Sequence, residues 1–281
     1  MKNIIWLLIS AAVSAVNAQP AKRSIAFAAG ENLQNNIIST SIRTFERKGQ
    51  NPLIIKMADT VVKYYNVTGV SGVGCTFNIT VKKIASGMDA AGQHMQFNSD
   101  QPSDSVSKII QSYRAMLHRL TTVSTDVKGN ITSVVNSRAE GDSKKTAADI
   151  TVPDPVIIGS NFELGVNLPS GDIKRGTSWA DSLITDNGNR VINYTVSSIS
   201  NSRMTISFGG TIVIKASSSD NGIALVKDLQ GSFTGKIELD VATGIVLNKL
   251  FKSQVKGYID IAGNRLSTTT TETWEETILK Q

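Results

Sequence analysis

The chain has 281 residues, 22 of them glycine and a single one cysteine, with 6% aromatic side chains and a formal charge of +6. A lone Cys75 excludes an intrachain disulfide, so burial and strand pairing must supply the stability. The basic excess is spread along the chain, and clusters such as Lys82-Lys83, Lys144-Lys145 and Lys174-Arg175 sit beside turn residues without interleaved aromatics, which argues against a nucleic-acid footprint.

Lys2, the apolar run Ile4 to Val16 and the small-residue exit Val16-Asn17-Ala18 stand in the order of a secretory signal. This predicts a signal peptide over 1–18 and a mature chain from Gln19 with a charge of +5, since Lys2 is lost (6 − 1). The apolar run is well short of the roughly 20 residues that span a bilayer, and no later stretch reaches that length. The mature product is therefore expected to be soluble, exported, and periplasmic or extracellular.

Period-two alternation punctuated by Gly and Asn then predicts strands at Ile37–Phe45, Met57–Asn66, Gly74–Ile84, Leu120–Asp126 and Ile131–Ser137. Cys75 alternates with strand-like neighbours, which makes it a core thiol rather than a reactive one. The second half continues with Arg190–Ile199, Arg203–Lys215, Gly231–Asp240, Gly244–Gln254 and Arg265–Ile278. One segment differs: Val106, Ile109, Ile110, Tyr113, Met116, Leu117 and Leu120 form the stripe of an amphipathic helix over about 104–120. Ser103 or Asp104 can cap its start, and Arg114, His118 and Arg119 suit its negative end.

Tyr65 to Ser71 is similar to Tyr194 to Ser200, and Thr125 to Ile131 is similar to Leu239 to Ile245. The pattern reads as two related β-meanders, the first carrying the inserted helix. The expected fold is mainly β, a curved antiparallel sheet or half-barrel. Its parts are 19–150, a connection at 151–170 stiffened by Pro153 and Pro155, and 171–281.

Met88-Asp89-Ala90-Ala91-Gly92-Gln93, Phe97-Asn98-Ser99, Gly176-x-x-Trp179 and the Asp240-x-x-x-Gly244 turn together resemble an uncharacterised exported family common in Bacteroidetes, a 6263-like domain of unknown function. Thr177-Ser178 stand where that family usually has an aspartate. The resemblance implies a β-rich envelope protein and carries no catalytic residues.

His94 and His118 are the only histidines, and no His-x-x-x-His or His-Glu spacing offers a metal site. A Gly-x-Ser-x-Gly elbow and a phosphate loop are missing. The carboxylate pairs Glu275-Glu276 and Asp89 with Asp100 would do acid–base work only across a cleft of fixed width, and adjacent glutamates near the end are expected to be solvated. The asparagines of four sequons, Asn66, Asn78, Asn130 and Asn193, are read as products of a threonine-rich chain.

The expectation is a non-enzymatic protein without metal or cofactor. It would bind or carry an apolar ligand such as a lipid on the concave face, with Phe77, Ile109, Met116, Trp179 and Ile206 as candidate lining residues. The alternative is a structural or protein-interaction module of the cell envelope, docking partners through strand edges or the Trp179 region.

Overall fold

A computed structural model describes residues 26–101, 108–117, 119–136, 158–185, 188–220 and 223–281. The expected leader, the helix cap at Ser103 or Asp104, His118, Pro153 and Pro155 lie outside these residues. In chain order the elements are β1 (Asn32–Phe45), β2 (Leu53–Ser71), β3 (Gly74–Ala90), β4 (Gln93–Asn98), α1 (Lys108–Met116), β5 (Leu120–Asp126) and β6 (Ile131–Asn136). They continue with β7 (Ser178–Thr185), β8 (Gly188–Ile199), β9 (Arg203–Asp220), β10 (Ile223–Asp240), β11 (Val246–Ile261) and β12 (Asn264–Lys280).

All twelve strands belong to one antiparallel sheet in the order β6-β5-β3-β2-β1-β12-β11-β10-β9-β8-β7, with β4 paired to the far part of β3. β7 to β12 form an uninterrupted up-and-down meander. β12 then pairs with β1 from Leu33 opposite Lys280 to Phe45 opposite Thr268, joining the two halves in the middle of the sheet. Among the described residues β6 and β7 end this order and β4 pairs with β3 alone, so the sheet is open.

Several strands are longer than the sequence predicts, for identifiable reasons. β1 begins at Asn32 rather than Ile37, because the polar Asn35 turns inward and its Nδ2 donates to Glu276 Oε2 at 3.1 Å. β10 begins at Ile223 rather than Gly231; that glycine lies mid-strand, not at its start. β3 runs past Ile84 to Ala90, absorbing Lys82 as a bulge where Val62 and Lys63 pair with Lys83 and Val81. β4 has no counterpart among the expected strands. The helix ends at Met116 rather than Leu120, since Leu117 bridges to Val81 and Leu120 already pairs with Thr80.

The two-meander pattern has a structural counterpart in shared irregularities. β2 is bulged between Val67 and Gly69, and β8 between Val196 and Ser198, at matching places in the similar segments. Asp126 Oδ1 accepts from the Lys128 and Asn130 amides, and Asp240 Oδ1 accepts from the Thr243 amide, so both similar turns are side-chain-closed.

The main core is continuous across both halves. It joins Leu33, Tyr65, Phe77 and Val123 to Val196, Ile206, Ile237 and Ile278 at one end of the curved sheet. The segment 158–166 is laid into this end, with Phe162 and Leu164 almost fully buried. Its backbone is fixed to both halves: the Phe162 amide donates to Gly129 O at 2.8 Å, and the Val246 amide to Leu164 O at 3.0 Å. A second, smaller cluster holds α1 against β3 and β4, through Ile110 and Tyr113 on Ile84 and Phe97. Phe97 stacks on Tyr113 at 5.3 Å between ring centroids, and the Tyr113 hydroxyl lies 3.0 Å from Ser86 Oγ.

Candidate functional site

Strand pairing places directly opposite residues at one height, so inward-facing side chains form rows across the concave face. One such row runs through Trp179, Tyr194, Phe208, Gly235, Phe251 and Trp274, a single position on each strand from β7 to β12. It continues on the other half as Ser39, Asp59 and Ser86. The row is therefore aromatic over one half of the sheet and polar over the other.

Its rings touch in sequence: Trp179 to Tyr194 at 5.0 Å, Tyr194 to Phe208 at 6.1 Å, Phe208 to Phe251 at 6.4 Å and Phe251 to Trp274 at 5.0 Å. Phe233, one inward position further along β10, fills the remaining gap at 5.5 Å from Phe251. Contacts of this geometry add stability beyond area burial and hold each ring in place. Gly235 is the point on which the row turns. A Cβ there would lie 2.3 Å from the Phe208 ring and 2.2 Å from the Leu250 carbonyl oxygen. Glycine thus lets the Phe208 ring lean over β10.

One inward position nearer the segment 158–166, charge enters the interior. Lys249 and Glu276 stand opposite each other, with Nζ 3.4 Å from Oε1, and the Lys249 ammonium lies 5.0 Å from the centre of the Trp274 ring. Glu276 is 3% exposed, so the sequence expectation of a solvated Glu275-Glu276 pair is corrected. The period of two sends Glu275 outward and Glu276 inward, where Lys249 and Asn35 satisfy it.

Lys63 from β2 reaches Glu163 at 2.8 Å. Burial alone would raise the Glu163 carboxyl. The Lys63 ammonium, the nearby Tyr65 hydroxyl and the Lys249 charge outweigh it and hold the group below its ordinary value. Burial pushes the Tyr65 phenol well above its usual range, and the Glu163 charge adds to the shift.

Between the segment 158–166 and the inner face of β7–β12 lies a cavity of about 130 Å³. Its apolar wall includes Tyr194, Phe208, Phe251 and Trp274 of the aromatic row together with Phe233, and its polar wall includes Asn161, Asp181, Arg190, Lys249 and Glu276. Drug-sized ligand pockets run from about 300 to 1,000 Å³, whereas an apolar cavity of about 150 Å³ accepts benzene. This space therefore suits a single ring or a few methylenes.

Buried polar atoms on its lining without a hydrogen-bond partner among the described residues include the indole N–H of Trp274, Oδ1 of Asn161 and Oε1 of Glu163. The orientation of Asn161 is set by its Nδ2, which donates to Asp181 Oδ2 at 3.0 Å.

The five residues nominated from sequence are not gathered at one site. Phe77 and Ile206 are each 0% exposed within the main core. Met116 packs on the α1 cluster, and the Ile109 side chain lies outside the described residues. Trp179 alone joins the aromatic row. The nominated carboxylates also separate: Asp89 lies 2.5 Å from His94, and Asp100 pairs with Lys83. The signal that sequence reasoning passed over is one aromatic residue on each of six successive strands.

The family described as Family of unknown function (DUF6263) matches residues 157–246, roughly a third of the chain. Gly176, Trp179, Asp240 and Gly244 lie inside that span; Met88–Gln93 and Phe97–Ser99 lie outside it. No curated protein matches the sequence. Among solved structures, the chain is similar to one described under lipid–protein interactions in lipovitellin, with a TM-score of 0.49 and 7% identity over 91% of this chain. It spans a quarter (25%) of that lipovitellin chain. It is also similar to an outer membrane channel from Pseudomonas putida F1, with a TM-score of 0.29 and 7% identity over 91% of this chain and 98% of the channel. No helix among the described residues is long and apolar enough to cross a membrane.

Proposed function

We propose that this is an exported, non-catalytic binding module that takes the apolar part of a ligand, such as a lipid, against the concave aromatic wall of β7–β12. The observation that carries this reading is the conjunction of the aromatic row with the 130 Å³ cavity under the segment 158–166. A ring or short chain segment entering there would exchange water for aromatic carbon, a gain of about 25 cal/mol per Å² of apolar surface. Export rests on the leader-like order of the first eighteen residues.

The test is native mass spectrometry of the mature protein, purified without detergent from its own envelope, followed by organic extraction. A stoichiometric apolar mass supports the reading and gives the ligand class. Trp274 lies on the cavity wall, so adding the extract back should change its fluorescence, and Trp274→Phe should abolish that part of the signal. A clean apo mass together with unchanged fluorescence would refute the reading and turn attention to protein partners of the envelope.

A further inference from the structure

The charges around the cavity cancel. Lys63 is matched by Glu163 and Lys249 by Glu276, and one further charge of each sign is carried by Arg190 and Asp181. An ionic ligand group placed among them would add an uncompensated charge to a buried site, which is costly. The buried polar atoms left on the same lining include a neutral donor, the Trp274 indole N–H, and a neutral acceptor, Asn161 Oδ1; Glu163 Oε1, a further acceptor, belongs to a carboxylate already matched by Lys63. Trp274 is 7% exposed, so its N–H has little access to bulk water. A buried polar atom left without a partner is uncommon in folded proteins, and ligand sites are among the places where it occurs.

Building on the binding reading above, we propose that the cavity selects an uncharged ligand group that both accepts and donates a hydrogen bond, an amide or an alcohol, attached to an apolar body of about one ring. The ligand's oxygen would accept from the Trp274 N–H, and its own N–H or O–H would donate to Asn161 Oδ1. Carboxylates, phosphates and ammonium groups are selected against by the balanced charges. Bare hydrocarbons fit but leave both polar atoms unpartnered.

The experiment is calorimetric titration of the whole mature protein with benzamide, benzyl alcohol, benzoate, benzylammonium and toluene. All five place one six-membered ring in the cavity, which limits size as a variable. Benzamide and benzyl alcohol should bind at least about tenfold more tightly than either ion, one tenfold step being worth about 1.4 kcal/mol. Trp274→Phe should remove most of the benzamide advantage, read as the ratio of benzamide to toluene affinity, since the smaller ring alters the wall for both ligands whereas the indole N–H is lost to benzamide alone.

Equal binding of toluene and benzamide would overturn the headgroup assignment while sustaining the apolar-site reading. Tighter binding of benzoate or benzylammonium would overturn the charge-balance argument. Failure of all five to bind would overturn the binding reading itself. The ligand comparison on the unaltered protein decides the matter even if the tryptophan variant fails to fold.

Discussion

Replacing Gly235 with alanine tests whether the aromatic row is fixed by backbone geometry. The added methyl carbon would lie 2.2 Å from the Leu250 carbonyl oxygen and 2.3 and 2.6 Å from two atoms of the Phe208 ring, all well inside van der Waals contact. The ring is held between Tyr194 and Phe251, and the carbonyl belongs to the neighbouring strand, so neither can simply rotate away. Overpacking of a core typically costs about 1–3 kcal/mol, and this site belongs at the upper end. A loss of about 3 kcal/mol corresponds to a fall in Tm of roughly 6–12 °C for a domain of this size. Gly69→Ala is the control, because its methyl would meet only Thr76 at 3.7 Å. It should leave stability unchanged or raise it by up to about 1 kcal/mol, as expected for alanine in place of a strand glycine. Urea denaturation followed by far-UV circular dichroism measures both. Equal midpoints and slopes for Gly235→Ala and the unaltered protein would show that the row has room the structure denies it.

Glu163→Gln leaves the Lys63 ammonium, only 10% exposed, without its counter-charge, and should destabilise by about 3 kcal/mol at pH 7. Because the folded Glu163 pKa is lowered, this stabilisation exists above the ordinary glutamate value and is lost as pH falls through the lowered one. The gap between the two proteins in a pH series of urea midpoints should therefore close in acid, and a constant gap would contradict the pairing. Asp59 behaves in the opposite sense: burial raises its carboxyl, only partly offset by the Ser86 hydroxyl. Ionisation above the raised pKa costs stability, so Asp59→Asn should stabilise at neutral pH, with the advantage vanishing below the ordinary aspartate value of about 3.9. Burial also raises the Cys75 thiol, and its reaction with a disulfide reagent at pH 8 should be slower folded than in denaturant by about tenfold or more. Equal rates would place the thiol in open solvent.

The architecture was legible in the sequence because half-buried strands write themselves as alternation, and because the Tyr-x-Val and Asp-turn similarities mark equivalent bulges and turns. Boundaries were less legible where a residue's environment is set by a distant strand. Asn35 reads as loop until Glu276, at the other end of the chain, supplies its partner. Gly231 reads as the start of its strand because local propensity cannot distinguish a glycine that bounds a strand from one inside a long strand; a Cβ there would lie 1.9 Å from Gln254 O. Site residues fared worse for the same reason. Phe77 and Ile206 are apolar and inward-facing as read, but the register buries them in the closed end of the sheet. The row from Trp179 to Trp274 becomes visible only when five successive strand pairings are known.

The ladder between β1 and β12 joins the most distant parts of the chain, yet the Gln281 amide donates to Asn32 O at 3.0 Å, so these two positions are immediate neighbours. Folding must close the longest loop in the molecule to form that ladder, which slows the search for native topology. A circular permutant that links Gln281 to Ala26 by a flexible linker, so that Phe27 keeps its place on Phe77, and opens between β6 and β7 would make this ladder a local pairing, leaving every strand pairing intact. It should refold faster than the natural order while unfolding to the same extent in urea, separating the kinetic cost of the topology from the stability of the sheet it produces.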